Sequence, residues 1–126
     1  QVMAQQSVFS ELIVRLRKLY PNSVYDGALP PKGTAYPFIY MGETTEDART
    51  VKKHQKGNPA DITQTIHVWH NNPRQRGRLS GITDTIEDVC YSLASAECVG
   101  YGSRILPDNT TAEPLLHAVI TVDFIF

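Results

Sequence analysis

Apolar residues along the chain fall into two periods, and the period decides the element. Val8, Phe9, Leu12, Ile13, Leu16 and Leu19 recur at intervals of three and four, the spacing that lines one side of an α-helix. Ser7 is available as an N-cap, Glu11 comes early, and Arg15, Arg17 and Lys18 come late, the charge order that a helix macrodipole favours. This helix should stop near Tyr20-Pro21-Asn22, because proline restricts the residue before it and cannot donate to the ladder. A second helical run, Leu79, Ile82, Ile86, Val89 and Leu93, follows the Asn71-Asn72-Pro73 break and keeps the same spacing throughout.

Elsewhere the period is two. Val24 and Tyr25 suit a short strand before Asp26-Gly27, and Pro30-Pro31-Lys32-Gly33 suits an ordered, irregular connection. Residues 36–43 combine aromatic and β-branched side chains behind Pro37, as in a buried strand entered through an edge proline. Ile62, Ile66 and Val68 alternate with Thr63, Thr65, His67 and Trp69, which puts one set on the core face. A strand over 98–106 is weakened by Gly100 and Gly102, and Pro107-Asp108-Asn109 turns the chain. In the last strand Leu116, Ala118, Ile120, Val122, Phe124 and Phe126 point one way, and Leu115, His117, Val119, Thr121, Asp123 and Ile125 the other.

The order helix, strands, helix, strands predicts a single α+β domain over 1–126, a mostly antiparallel or mixed sheet with two amphipathic helices packed on one face. If the strands carrying Trp69 and His117 are neighbours, Trp69, His67, His117, Thr121 and Ile125 share the opposite face. A half-apolar surface of that kind is expected to be a subunit interface.

Composition narrows the classes of function. With 126 residues, 41% hydrophobic and 20% charged, the chain can close one core without a metal or disulfide framework. A net charge of -1 offers no global attraction for phosphate backbones or anionic membranes. Cys90 and Cys98 are the two cysteines, and both are expected to be reduced and buried. No apolar run reaches the roughly 20 residues of a membrane span, nor does the start carry the regions of a signal peptide. A protein working from the cytosol is therefore expected, with a natural start at Met3 behind Gln1 and Val2.

Candidate chemistry is thin. His54, His67, His70 and His117 could be imagined around a metal in a small metal-dependent hydrolase or nuclease. However, His67 and His70, three apart on a strand, project to opposite faces and cannot converge; surface or interface histidines are the expected reading. There is no Gly-x-Ser-x-Gly elbow, reactive-cysteine signature or phosphate-binding glycine loop. Glu46-Asp47 and Glu87-Asp88 are adjacent pairs whose carboxylates splay apart as solvated charge. Arg74, Arg76 and Arg78 form a basic turn before the second helix, close to Trp69. Residues 43–56 run from acidic (Glu43, Glu46, Asp47) to basic (Arg49, Lys52, Lys53, Lys56), as a long loop or exposed hairpin extension. Copies related by rotation could pair the two halves head to tail and close a ring.

The joint order of these parts resembles the tail-completion and tail-terminator proteins of siphophages, the phages with long, non-contractile tails. The resemblance runs from about Met3 to Phe126. It is carried by the first helix, the Val24-Tyr25-Asp26 segment, Tyr36-Pro37-Phe38-Ile39 leading to Met41-Gly42-Glu43, Ile66-His67-Val68-Trp69, the helix over 78–93 and the closing strand over 119–126. The basic run over 50–58 departs from the pattern. The resemblance implies a non-enzymatic virion protein without cofactor or membrane contact, at the head-proximal end of the tail and assembled in the host cytoplasm. Its implied partners are copies of itself, in a ring usually of six, the major tail-tube protein, and a head-completion or connector protein; DNA would pass through without specific binding. The alternative within the same class is a head-side connector or stopper.

Overall fold

The first helix begins five residues ahead of Ser7, which is therefore interior to it and caps nothing. In the computed structural model, which describes residues 2–46, 61–110 and 112–126 with side chains from Gln6 onward, α1 spans Val2–Leu19. It buries Val8, Leu12, Ile13 and Leu16, whereas Leu19, expected on the same stripe, is 52% exposed. The helix ends where proline demands it: Asn22 sits at φ 62, a left-handed position that asparagine tolerates.

Five strands follow, β1 (Val24–Asp26), β2 (Phe38–Glu46), β3 (Ile62–His70), β4 (Glu97–Asp108) and β5 (Leu115–Ile125), with α2 (Arg76–Tyr91) between β3 and β4 behind a 3-10 turn at Pro73–Gln75. The sheet order is β1-β2-β3-β5-β4. Among the described residues only the β1/β2 pair is parallel, so the sheet is mixed and the fold is α+β as expected. The Tyr36-Pro37 bond is cis at the entrance to β2.

Both helices contribute to one core cluster with the inward row of every strand. In it Leu12 and Leu16 of α1 and Leu79 and Ile86 of α2 join Ile39, Ile66, Ile120 and Phe124. The period of two holds along β3 and, from Leu116 onward, along β5; Leu115, expected on the face of His117, is buried, and Phe126, beyond β5 and expected on the core row, is 48% exposed. A clip fixes α1 to the segment after α2: the Glu11 carboxylate accepts hydrogen bonds from the Ala94 and Ser95 amides and the Ser95 hydroxyl at 2.7–3.1 Å, and Arg15 donates to the Ser92 carbonyl at 3.0 Å. Burial alone would raise the Glu11 carboxyl, but these bonds and the Arg15 charge hold it below the usual value.

Candidate functional site

With both helices on one side, the other side of the sheet carries a row of rings. Register sets it: Trp69 of β3 lies opposite His117 of β5, and Tyr40 of β2 opposite His67 of β3, so the four share a face. Trp69 stacks on His117 with centroids 3.7 Å apart and planes 9° off parallel. His117 stacks in turn on His67 at 4.9 Å, and Tyr40 stands 6.1 Å beyond. All four are half-buried. The sequence brought His67, His117, Trp69, Thr121 and Ile125 together on condition that β3 and β5 pair; they do, and Tyr40 joins them.

The two histidines are also bonded. His67 Nδ1 lies 2.7 Å from His117 Nε2, a distance at which one ring donates its N–H and the other must be neutral to accept. Burial, the neighbouring His67 and Arg104 lower His117 to about 4 against a partial pull from Asp108. Burial also lowers His67, with Glu43 opposing. At neutral pH the pair is thus uncharged and shares one hydrogen bond.

Gly42 leaves room for the His67 ring. A Cβ there would stand 3.0 Å from His67 Cδ2 and Nε2 and from the Thr65 carbonyl oxygen. The β2/β3 register shifts between Met41 and Thr44, and the buried Gln64 side chain fills the irregularity. Its amide donates to the Gly42 and Thr65 carbonyls at 3.1 and 2.9 Å, while the Thr44 hydroxyl donates to its oxygen. No sequence period signals either feature, because a shift in register is a property of two strands.

At one end of the row the connection over 29–36 folds back beside Trp69. Thr34 N donates to the Pro31 carbonyl at 3.2 Å, and Gly33 takes φ 93, so the segment is ordered and irregular as expected. Together with Tyr36, Phe38 and Leu115 it encloses an open cavity of about 740 Å³, which Asp108, Glu113 and Lys32 also line.

Of the charged residues singled out from sequence, Glu43 and Glu46 are exposed on β2. Asp47, Arg49, Lys52, Lys53 and Lys56, together with His54, lie outside the described residues, as does most of the acidic-to-basic run. Arg74, Arg76 and Arg78 are exposed around the 3-10 turn and the start of α2; Arg74 N donates to Asn72 Oδ1 at 3.0 Å, and Arg76 reaches the Ile105 carbonyl at 3.4 Å. They are not part of the ring row, although Asn71 beside them lines the cavity.

One expectation needs correcting. His70 is neither a surface nor an interface residue but is 4% exposed, because it continues the inward parity of Ile66 and Val68. Its Nε2 lies 2.6 Å from Gln75 Oε1 at the entrance to α2. Among the described residues no group of three or more His, Cys, Asp or Glu side chains could hold a metal ion, and no helix is long and apolar enough to cross a membrane. Cys90 and Cys98 are free and buried; burial above all pushes the Cys90 thiol up to about 12. No protein-family model matches the chain, and no curated protein matches it in sequence.

Proposed function

We propose that this chain is a non-enzymatic structural subunit of a tailed phage, a tail terminator that assembles as a ring, caps the tail tube and joins it to the head connector.

 The row Tyr40–His67–His117–Trp69 carries this reading. It is a half-buried aromatic strip on the sheet face opposite the helices, and aromatic area of that kind is what a protein surface spends on association. The two faces divide the labour: the helix side closes the core, and the ring side remains for neighbours and for the tube. The exposed Arg74, Arg76 and Arg78 and the acidic Glu43 and Glu46 give the contact regions opposite charge, which favours head-to-tail closure over self-stacking. A net charge of -1 suits a ring that DNA must traverse, since a strongly cationic lumen would retain the phosphate backbone.

The test is genetic. In a phage carrying this gene, its interruption should leave tails of uncontrolled length that fail to join heads, and supplying the protein in trans should restore joined particles. Infectious particles with tails of normal length in the absence of the protein would sink the reading.

A further inference from the structure

The two edges of the sheet are finished differently. At the β1 edge only three residues are exposed to pairing, and their outward carbonyls are taken: Arg17 donates to the Val24 carbonyl at 3.3 Å, and the Ala28 amide to the Asp26 carbonyl at 3.0 Å. Arg17 also bridges Asp26 Oδ1 at 3.5 Å. The β4 edge is a 12-residue strand that ends the sheet order. Its outward row is Tyr101, Ser103 and Ile105; the exposed Arg76 side chain donates to the Ile105 carbonyl at 3.4 Å and has to swing away before that carbonyl can pair, and Pro107, which has no N–H to offer, falls on the same row.

We infer that this open edge pairs with the β4 edge of a second copy, antiparallel and two-fold about Ser103. Three observations fix that register. The edge is interrupted at Val99, where the β4/β5 register shifts between Cys98 and Gly100, and again at Pro107; Ser103 is midway, so in the two-fold pair each bulge meets the other copy's proline and the segment between them is free. On the ring side of the sheet, Arg104 then lies opposite Gly102 of the second copy. A Cβ at Gly102 would touch nothing within 4 Å, and one at Gly100 would stand 3.2 Å from Asp123 Oδ2, so the two glycines form a bare lane leading to a carboxylate. The Arg104 guanidinium laid along the lane meets that carboxylate, twice by symmetry. On the helix side Tyr101 faces Ile105 of the second copy, and each is a partly buried side chain at the rim of the core whose open flank the other covers.

A second copy fits better than a generic extended peptide, because β4 itself supplies the cation, the apolar flank and the matching interruptions. A strand pairing this short buries less surface than a permanent dimer, so the pair forms with rising concentration. This inference is independent of the ring proposed above, whose test reads tail length in a phage.

The experiment is sedimentation of the purified full chain over a concentration series, alongside Ser103→Pro and Arg104→Glu. Ser103→Pro removes an outward N–H without touching the bonds to β5, and Arg104→Glu sets like charge against Asp123. The wild type should move from 14.1 kDa toward twice that mass, with Ser103→Pro remaining monomeric and Arg104→Glu shifting the midpoint at least tenfold upward. Circular dichroism verifies that each variant is folded, and Arg104→Glu, an exposed change, serves if Ser103→Pro does not fold. A wild type that stays monomeric at millimolar concentration, or an assembly of any size that Arg104→Glu leaves unaltered, overturns the inference.

Discussion

His67 and His117 cannot both be charged at 2.7 Å, and this makes the pair a pH-sensitive contact on the ring face. His117 is lowered from 6.5 to about 4, so between those values the unfolded chain binds the extra proton and the folded chain does not. Stability therefore falls as pH drops from about 6.5 toward about 4, and the contribution is gone below that. Melting temperature across this window should fall more steeply for the wild type than for His117→Phe; parallel curves would remove the pair as the cause. Gly42 has an equally local role. Gly42→Ala drives a methyl into the His67 ring and the Thr65 carbonyl, and should cost about 1–3 kcal/mol in urea unfolding, whereas Gly81→Ala, where a Cβ meets nothing within 4 Å, should be neutral or stabilising.

At the scale of elements, helices and strands were legible wherever one face is apolar and the other polar. Leu12, Leu16, Leu79 and Ile86, and the alternation on β3 and β5, announce themselves because burial selects residue type position by position. The first turns of α1 did not, since Gln5 and Gln6 carry no apolar signal and Ser7 imitates a cap. The outward-facing ring row was legible only as a condition, because whether β3 neighbours β5 is settled by the whole sheet and not by either strand. Whereas the burial of His70 follows from the parity it shares with Ile66 and Val68, the register shift filled by Gln64 and the cavity closed by residues 29–36 were not legible at all, each depending on elements distant in sequence. The Glu11 clip is another such long-range feature. Glu11→Ala would leave the Ala94 and Ser95 amides without their acceptor and loosen α1 from the segment after α2; a loss of about 1–3 kcal/mol is expected in chemical unfolding, with hydrogen exchange faster at the Ala94 and Ser95 amides than in the core strands.

For the whole molecule, the division into a closed helix side and an aromatic ring side would, on the proposed reading, separate folding from association. Trp69→Glu changes a half-buried residue on the side proposed to associate while the core cluster beneath remains intact. The variant should fold, with a melting temperature a few degrees lower, yet fail to restore joined particles to a phage lacking the gene. Full rescue by Trp69→Glu would move the contact surface elsewhere, first to the Arg74, Arg76 and Arg78 turn.

The stoppered β1 edge has a consequence for how far copies can add. A sheet with pairing groups free on both sides can recruit a third chain, then a fourth, and grow into a fibre. Here the β1 edge is three residues long and its outward carbonyls are held by Arg17 and by the Ala28 amide, so in the proposed pair a third chain would find little to add to, and the assembly would stay finite.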